Sequence, residues 1–396
     1  MVRRCAGWGK IGNETLYTLP NSWQTLLLTY TYGSLIGENT VYGTYLETIA
    51  NTNATWETTV QTSVGLDLTM FQNKLEFSAD YYYKETRDLI DYIPTPSQIG
   101  VENPPLGNMG KVINRGWEFS ASYKNSAADG RFNYNVWGTF SVNKGWVDDY
   151  GAQKIVQHNN PNINSTPILY SAAGYPWYSY YIYRTDGIFR SQEEIDRYVS
   201  KNAETGEVTQ VQPNAKVGDL KFVDTNGDGV ITDDDKVLTG CYTPKQTYSF
   251  GGSFDWKGFD FSIMFQGVAG NYIYNGTKQM AMNGRQDMGN LISDVFNTWD
   301  FNPSGSEYPR LGIVEDDIGN YVKSSALFLA KGHYLRLQNI TLRYTLPKPI
   351  TRHPRLQKAS LRVHLPITHL PTLPGHPCIA PQLRSSGVAP PVYPPP

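Results

Sequence analysis

The stretch Gln246–Gln266 leaves this chain few choices of fold. Along its first arm Tyr248, Phe250, Gly252, Phe254 and Trp256 share one face, and Thr247, Ser249, Gly251, Ser253 and Asp255 share the other. Lys257-Gly258 marks a tight turn, after which Phe259, Phe261, Ile263 and Phe265 alternate with Asp260, Ser262, Met264 and Gln266. A period of two is the pattern of a strand with one apolar and one polar face. Arms of about ten residues are also what a tilted strand needs to cross a bilayer.

The same pattern recurs. Val60, Thr62, Val64, Leu66, Leu68 and Met70 turn at Gln72-Asn73 and are answered by Leu75, Phe77, Ala79, Tyr81 and Tyr83. Trp117, Phe119, Ala121 and Tyr123 turn over residues 125–131 into Phe132, Tyr134, Val136, Gly138, Phe140 and Val142. A fourth hairpin begins at Tyr334-Leu-Arg-Leu-Gln-Asn-Ile-Thr-Leu342, where the apolar phase slips by one residue and predicts a bulge. It returns at Leu361, Val363 and Leu365. Residues 4–12 read as the end of a strand, and the polar, Gly/Tyr/Asn-rich residues 12–55 as a long loop.

Short turns thus alternate with long excursions at 90–110, 147–245 and 275–332. Transmembrane barrels show this asymmetry, with tight turns on the periplasmic side and long loops outside. One strand ends near Trp146 and the next starts near Gln246, so residues 147–245 are expected to form one external excursion in which any strands are paired. Ser191–Val199, with Glu193-Glu194 near its start, is the most helix-like stretch, one or two turns long. From Pro366 to Pro396 repeated prolines remove the donors a strand needs, and a disordered or extended tail is expected.

Composition agrees with strands and turns. Of 396 residues 13% are aromatic and 36 are glycine, while only 18% are charged. No run approaches the roughly 18 apolar residues of a membrane helix, so any membrane contact is through a barrel. The net charge of −2 hides an asymmetry: ten of the 34 basic and none of the 36 acidic side chains lie beyond Asp317, so the first 317 residues carry −12. An acidic body with no basic stripe argues against a nucleic-acid partner. Cys5, Cys241 and Cys378 form neither zinc spacing nor a disulfide framework and read as inert thiols. The opening residues Met1–Trp8 lack a signal-peptide core, so an exported barrel would place this start internally.

One stretch carries candidate chemistry. Asp224, Asn226, Asp228 and Asp235 hold positions 1, 3, 5 and 12 of a calcium loop, with Gly229 at position 6 and the Val230 carbonyl at position 7. Position 12 is Asp where Glu is usual, and the flanks look extended, so the site would be a structural Ca2+ brace. The same residues also fit an Asx/Gly-rich turn held by its own side chains. Catalysis is not expected. His158 is the only histidine before residue 333, and the acidic pairs Asp148-Asp149 and Glu193-Glu194 lie in polar loops. Trp177, Tyr178, Tyr180, Tyr181 and Tyr183 are candidates for stacking on a sugar or on a partner, and also suit packing where a barrel leaves the bilayer.

Gly218-Asp-Leu-Lys-Phe222, the Asp224–Ile231 loop, Pro244-Lys245, Lys257-Gly-Phe-Asp260 and Phe265-Gln-Gly-Val-Ala-Gly270 together resemble the late barrel of SusC/RagA-type TonB-dependent outer-membrane transporters. Trp56-Glu-Thr-Thr59, Gly65-Leu-Asp67, Asp80-Tyr-Tyr-Tyr83, Lys84-x-Thr-x-Asp88-Leu89, Asn114-x-Gly116-x-Glu118, Thr185-Asp-Gly-Ile-Phe189 and Leu335–Leu342 fall in the same order. The resemblance covers residues 1–365 and stops near the proline tail 366–396, where a truncation or frame shift is expected. It implies an all-β antiparallel wall, about nine of an expected 22 strands. It further implies a nutrient importer for glycans or peptides in the cell outer membrane, bounded by outer-membrane lipid. Its partners would be a SusD-like surface lipoprotein and the TonB complex, the latter engaged through N-terminal parts outside this stretch. An open set of strands has two unpaired edges that lipid cannot hydrate, so this stretch alone is not expected to insert or transport. The competing reading is a soluble or surface β-protein that binds carbohydrate with a calcium-braced loop. It would need a second apolar layer against the aromatic face.

Overall fold

The computed structural model describes residues 2–366 apart from 14–25, 30–33, 37–38, 42–43, 52, 94, 103, 128–130, 152–154, 164–165, 202–207, 285–289, 313–317 and 348–359. The proline tail beyond residue 366 therefore lies outside the described residues.

Nine strands form one antiparallel sheet: β1 (Val2–Asn13), β2 (Glu57–Met70), β3 (Leu75–Arg87), β4 (Lys111–Ser126), β5 (Phe132–Asp149), β6 (Gln246–Trp256), β7 (Phe259–Ala269), β8 (Tyr334–Thr345) and β9 (Ser360–Pro366). Spatial order equals chain order, which is an up-and-down meander. The sheet does not close, and β1 and β9 are its two edges.

Register follows from the alternation, because a slip of one residue would exchange the two faces. One row of paired residues runs Leu68, Phe77, Ala121, Gly138, Phe250, Phe265 and Leu337 across seven strands. The neighbouring row on the other face runs Asp67, Ser78, Ser120, Thr139, Ser249, Gln266 and Arg336. Aromatic rings meet across strands on the apolar face, as Tyr81–Trp117 at 5.0 Å, Phe250–Phe265 at 5.1 Å and Phe254–Phe261 at 5.3 Å between centroids. The polar face pairs its own groups: Thr139–Ser249 at 2.7 Å, Ser141–Thr247 at 2.8 Å and Arg343 Nε to Asp260 at 2.7 Å.

Among the described residues nothing covers the apolar face. Val64 is 55% exposed, Val136 57% and Phe250 44%, where a sandwich would bury them under a second sheet. That removes the structural basis of the soluble-sandwich alternative.

Turns obey the local chemistry. Lys257 and Gly258 both have positive φ, 49° and 87°, the two-residue turn that matches the twist of β6 and β7. The β2–β3 turn is longer than the pair Gln72-Asn73, since Phe71, Gln72 and Asn73 all have positive φ. In β8 the register with β7 skips Gln338 between Leu337 and Asn339, the bulge that the phase slip predicts. On the polar face the Trp137 ring lies over Gly251, where an added Cβ would stand 2.6 Å from the Ile263 carbonyl oxygen and 3.0 Å from the indole. Gly251→Ala should cost about 1–3 kcal/mol by overpacking. A chemical melt that shows no loss would refute that close approach.

The buried core lies outside the wall. Residues 150–245 make a four-stranded sheet from Ile155–Ile163, Thr166–Ala172, Ser179–Tyr183 and Lys236–Cys241, with two further strand pairs, and none of these strands joins the nine. Helix α1 (Gln192–Arg197) starts where the sequence predicts one, capped by Ser191 Oγ accepting from Glu194 N at 3.3 Å. Residues 270–333 add α2 (Gly276–Ala281) and the strand pair Tyr272–Tyr274 with Leu329–Lys331. Residues 12–55, read from sequence as loop, contain two short antiparallel pairs.

Three clusters hold the excursions together. One is Met282, Val295, Leu311, Tyr321 and Phe328, all within residues 270–333. The second buries Ile168, Leu169, Tyr180 and Ile182 against Tyr272, Tyr274 and Leu329, and the third buries Tyr183, Leu220 and Phe222 with Ile318. The last two cross between excursions, so the loops share a core. Tyr150 at the top of β5 is 1% exposed and donates to Asp91, which ties in residues 88–110.

Candidate functional site

The loop between Phe222 and Lys236 is folded by its own acidic side chains. Asp224 accepts from Gly227 N at 2.6 Å and Gly229 N at 2.9 Å. Asn226 Oδ1 accepts from Asp228 N, and Asp228 Oδ1 from Val230 N, both at 2.9 Å. Asp235 is fully buried, accepting from Thr225 N at 2.7 Å and Thr232 N at 2.8 Å. Gly227 and Gly229, with φ of 78° and 85°, make the bends that an L side chain would strain. Ligand oxygens of Asp224, Asp228 and Asp235 come within 4.8 Å of one another.

Three of the carboxylates that the sequence singles out come together, and the structure assigns their present hydrogen bonds to the loop itself. Asn226 Nδ2 donates to Asp228 Oδ2 at 2.9 Å, so these two side chains satisfy one another. Three carboxylates at this separation repel unless their charge is balanced. All the donors are hard oxygens, which suits Ca2+ chemically.

The loop is joined to the aromatic cluster. Tyr183 donates to Asp233 Oδ1 at 2.6 Å, and Lys236 Nζ lies 2.9 Å from the same oxygen. Burial pushes the Tyr183 phenol up, aided by the Asp233 carboxylate, so Tyr183 stays a neutral donor. Those hydrogen bonds, first from Tyr183 and then from Lys236, hold the Asp233 carboxyl below its ordinary range. A depressed carboxylate stabilises the fold above its unfolded value and loses that contribution as pH falls through the folded one. Protection of this loop from hydrogen exchange should therefore decline as pH drops below 3.8, the ordinary Asp value, and Asp233→Asn should remove the step. An unchanged step in the variant would refute the assignment.

Of the aromatic candidates, Tyr180 at 6% and Tyr183 at 3% exposure are core residues, which removes them from any contacting surface. Burial also pushes Tyr180 up to about 12. Trp177, Tyr178 and Tyr181 are half-buried. Trp177 packs on Tyr150 at 5.5 Å, Tyr178 on Tyr242 at 6.0 Å and Tyr181 on Tyr170 at 4.7 Å. Cys241 is buried, with its thiol 3.3 Å from the Trp177 carbonyl. Cys5 lies in β1, and Cys378 lies outside the described residues.

One constellation is invisible to sequence reasoning. Asp219, fully buried, accepts from Arg310 Nε at 2.5 Å, from Asn320 Nδ2 at 2.8 Å and from Lys216 N at 2.8 Å. Asn320 Oδ1 accepts from Leu220 N at 2.9 Å. The acid and its partners stand about 90 and 100 residues apart in sequence, and no local pattern joins them. Nearby, the fully buried Gln279 donates to the Tyr321 carbonyl at 3.0 Å and accepts from Tyr274 at 2.7 Å.

Similarity to known proteins matches this architecture. Residues 8–351 match the family model described as TonB dependent receptor-like, beta-barrel. TonB-dependent receptor P26 of Formosa agariphila is 29% identical over 353 residues, covering 86% of this chain and 32% of that protein. TonB-dependent receptor SusC of Bacteroides thetaiotaomicron is 25% identical, over 86% of this chain and 31% of that protein. Among solved structures, the RagAB peptide importer in the closed-closed state superposes with a TM-score of 0.69 over 94% of this chain and 37% of that chain, at 21% identity. The chain thus spans about a third of the length of these relatives. With a two-faced antiparallel meander, and a match that runs through eight of its nine strands, the chain belongs to the TonB-dependent receptor family and forms part of its β-barrel wall.

Proposed function

We propose that this chain is part of an outer-membrane importer of the SusC/RagA kind, which takes up glycans or peptides with a SusD-like surface lipoprotein and energy relayed by TonB. The observation that carries the reading is the apolar face that runs unbroken across the strands and is left uncovered, opposite a hydrogen-bonded polar face. The first faces lipid and the second a wet lumen. In this reading the excursion 147–245 and its neighbours form an extracellular cap, since they leave from the end of the wall opposite the tight turns. The chain has no part in catalysis; its work is transport. Relatives lend support: one similar structure is the RagAB peptide transporter and one similar sequence is SusC.

Outer-membrane fractions from cells that express the complete receptor containing this stretch test this. Affinity purification should bring down a lipoprotein partner, and deletion should abolish growth on one class of oligosaccharide or peptide. Recovery in the soluble fraction, or unchanged growth on every such substrate, would overturn the proposal.

Within the cap, Asp224, Asn226, Asp228, Asp235 and the Val230 carbonyl are proposed to hold Ca2+ as a structural brace. Support comes from the ligand spacing and from the convergence of three carboxylates. Calcium at a hundredfold excess over Kd should stabilise the protein by about 2.7 kcal/mol, and Asp228→Asn, at an exposed position, should abolish most of that. A thermal melt in which calcium raises wild type and variant equally would exclude the site.

A further inference from the structure

The geometry points to a binding site for the anionic phosphate headgroup of a membrane lipid, on the outward face of the wall where β4 and β5 reach the excursions. The site consists of Arg115 and Lys144, paired across the two strands, and the ring of Trp146 beside them.

Arg115 shares its face of β4 with Trp117 and Phe119, and Lys144 and Trp146 share theirs on β5 with Phe140 and Val142, because side chains alternate along each strand. The register sets Arg115 directly opposite Lys144, and the next outward pair below is Trp117 with Val142. From Phe132 to Val142 the outward residues of β5 are Phe, Tyr, Val, Gly, Phe and Val. Eleven residues of tilted strand span about 25 Å along the normal, the height of a lipid-facing apolar band. Lys144 and Trp146 therefore begin where that band ends, at headgroup level, where tryptophan gathers.

Two cations placed directly opposite one another on a sheet repel. Both are exposed, and among the described residues neither forms an ion pair. The carboxylates at the same rim are engaged elsewhere: Glu85 by Arg87 and by Lys111 at 3.6 Å, and Asp148 by Lys111 at 2.8 Å. The protein's own contact to the pair is the Trp146 ring, 5.2 Å from the Arg115 guanidinium carbon and 5.7 Å from Lys144 Nζ. That ring fixes both cations side by side and leaves their donors free for an anion. Arg87 and Lys111 are thus matched by carboxylates, and among the described residues Arg115 and Lys144 are the cations of this stretch that no carboxylate pairs. A guanidinium and an ammonium together suit a phosphate, one with a fixed fork and one as a point charge. The site is open to the side and continuous with the apolar band, which favours an anion carried on acyl chains over a free one.

This inference rests on the apolar face being lipid-facing. Its test is native mass spectrometry of the detergent-solubilised complete receptor that contains this stretch, titrated separately with phosphatidylglycerol, phosphatidylcholine and inorganic phosphate. Removing both cations with Arg115→Gln/Lys144→Gln should weaken phosphatidylglycerol binding about 30-fold, and the Lys144→Glu reversal should also weaken it. Phosphatidylcholine binding should be unaffected by either change, and Lys124→Gln on the opposite face should alter nothing. Equal phosphatidylglycerol affinity in variant and wild type, or displacement of the lipid by inorganic phosphate, would overturn the site. A complete receptor that stays soluble and folded without detergent would instead overturn the lipid-facing wall, and the site with it.

Discussion

Arg310→Ala should destabilise the cap by about 3–5 kcal/mol, the cost of leaving a buried carboxylate without its counter-charge. Asp219 has no exposure and receives three side-chain or backbone donors besides the distal guanidinium nitrogen. Loss of Arg310 removes the guanidinium paired with it. The effect should spread, because Asp219 sits beside Leu220 in the cluster with Tyr183 and Phe222, while Arg310 adjoins Leu311 in the cluster with Tyr321 and Phe328. Hydrogen exchange should therefore rise in residues 185–222 and 270–328 together. Exchange that rises only around residues 310–322 would show that the two excursions open independently. Replacing the whole network by apolar residues of similar volume should cost far less, since a buried ion pair is weak in net stability.

Phe250→Arg should cost about 2–4 kcal/mol in a bilayer, the penalty for a cation near the middle of a lipid-facing barrel surface. Phe250 stands near the middle of β6, 44% exposed, against Phe265 at 5.1 Å and beside Gly138. In water such a half-exposed position would tolerate arginine at the loss of one ring contact, about 0.5–1.5 kcal/mol. The same substitution on the opposite face, Ser249→Arg, faces the wet side and should lie near zero. Refolding of a complete barrel that contains this stretch into lipid vesicles, followed by urea titration, separates the cases. Equal effects at 249 and 250 would mean that lipid touches neither face.

The wall was legible because its physics is local. Alternation puts Phe250 and Ser249 on opposite faces whatever the partner strand, and the turn Lys257-Gly258 then sets which residues pair. Even the bulge at Gln338 was visible as a slip in phase. The carboxylates of the acidic loop were likewise legible, since Asp224, Asp228 and Asp235 converge within twelve consecutive residues. The aromatic cluster was ambiguous for a physical reason: Tyr178, Tyr180, Tyr181 and Tyr183 alternate or crowd in the same way whether they meet a ligand or each other. Burial alone separates Tyr180 and Tyr183, which are core, from Trp177, Tyr178 and Tyr181 at its margin.

The excursions needed tertiary structure. Their sequence lacks a period because each short strand packs by a different side, and their core is assembled from residues far apart in the chain, as with Ile318 against Phe222. The pairing of Arg115 with Lys144 is a similar case, since each is an ordinary charged residue until the register sets them opposite. By itself the sequence determined the strands, their two faces and the acidic loop, because those depend on neighbours a few residues away. Only the tertiary structure decided how the excursions lock together and which charges are left without a partner, because Coulomb and packing energies depend on distance in space and not on distance along the chain.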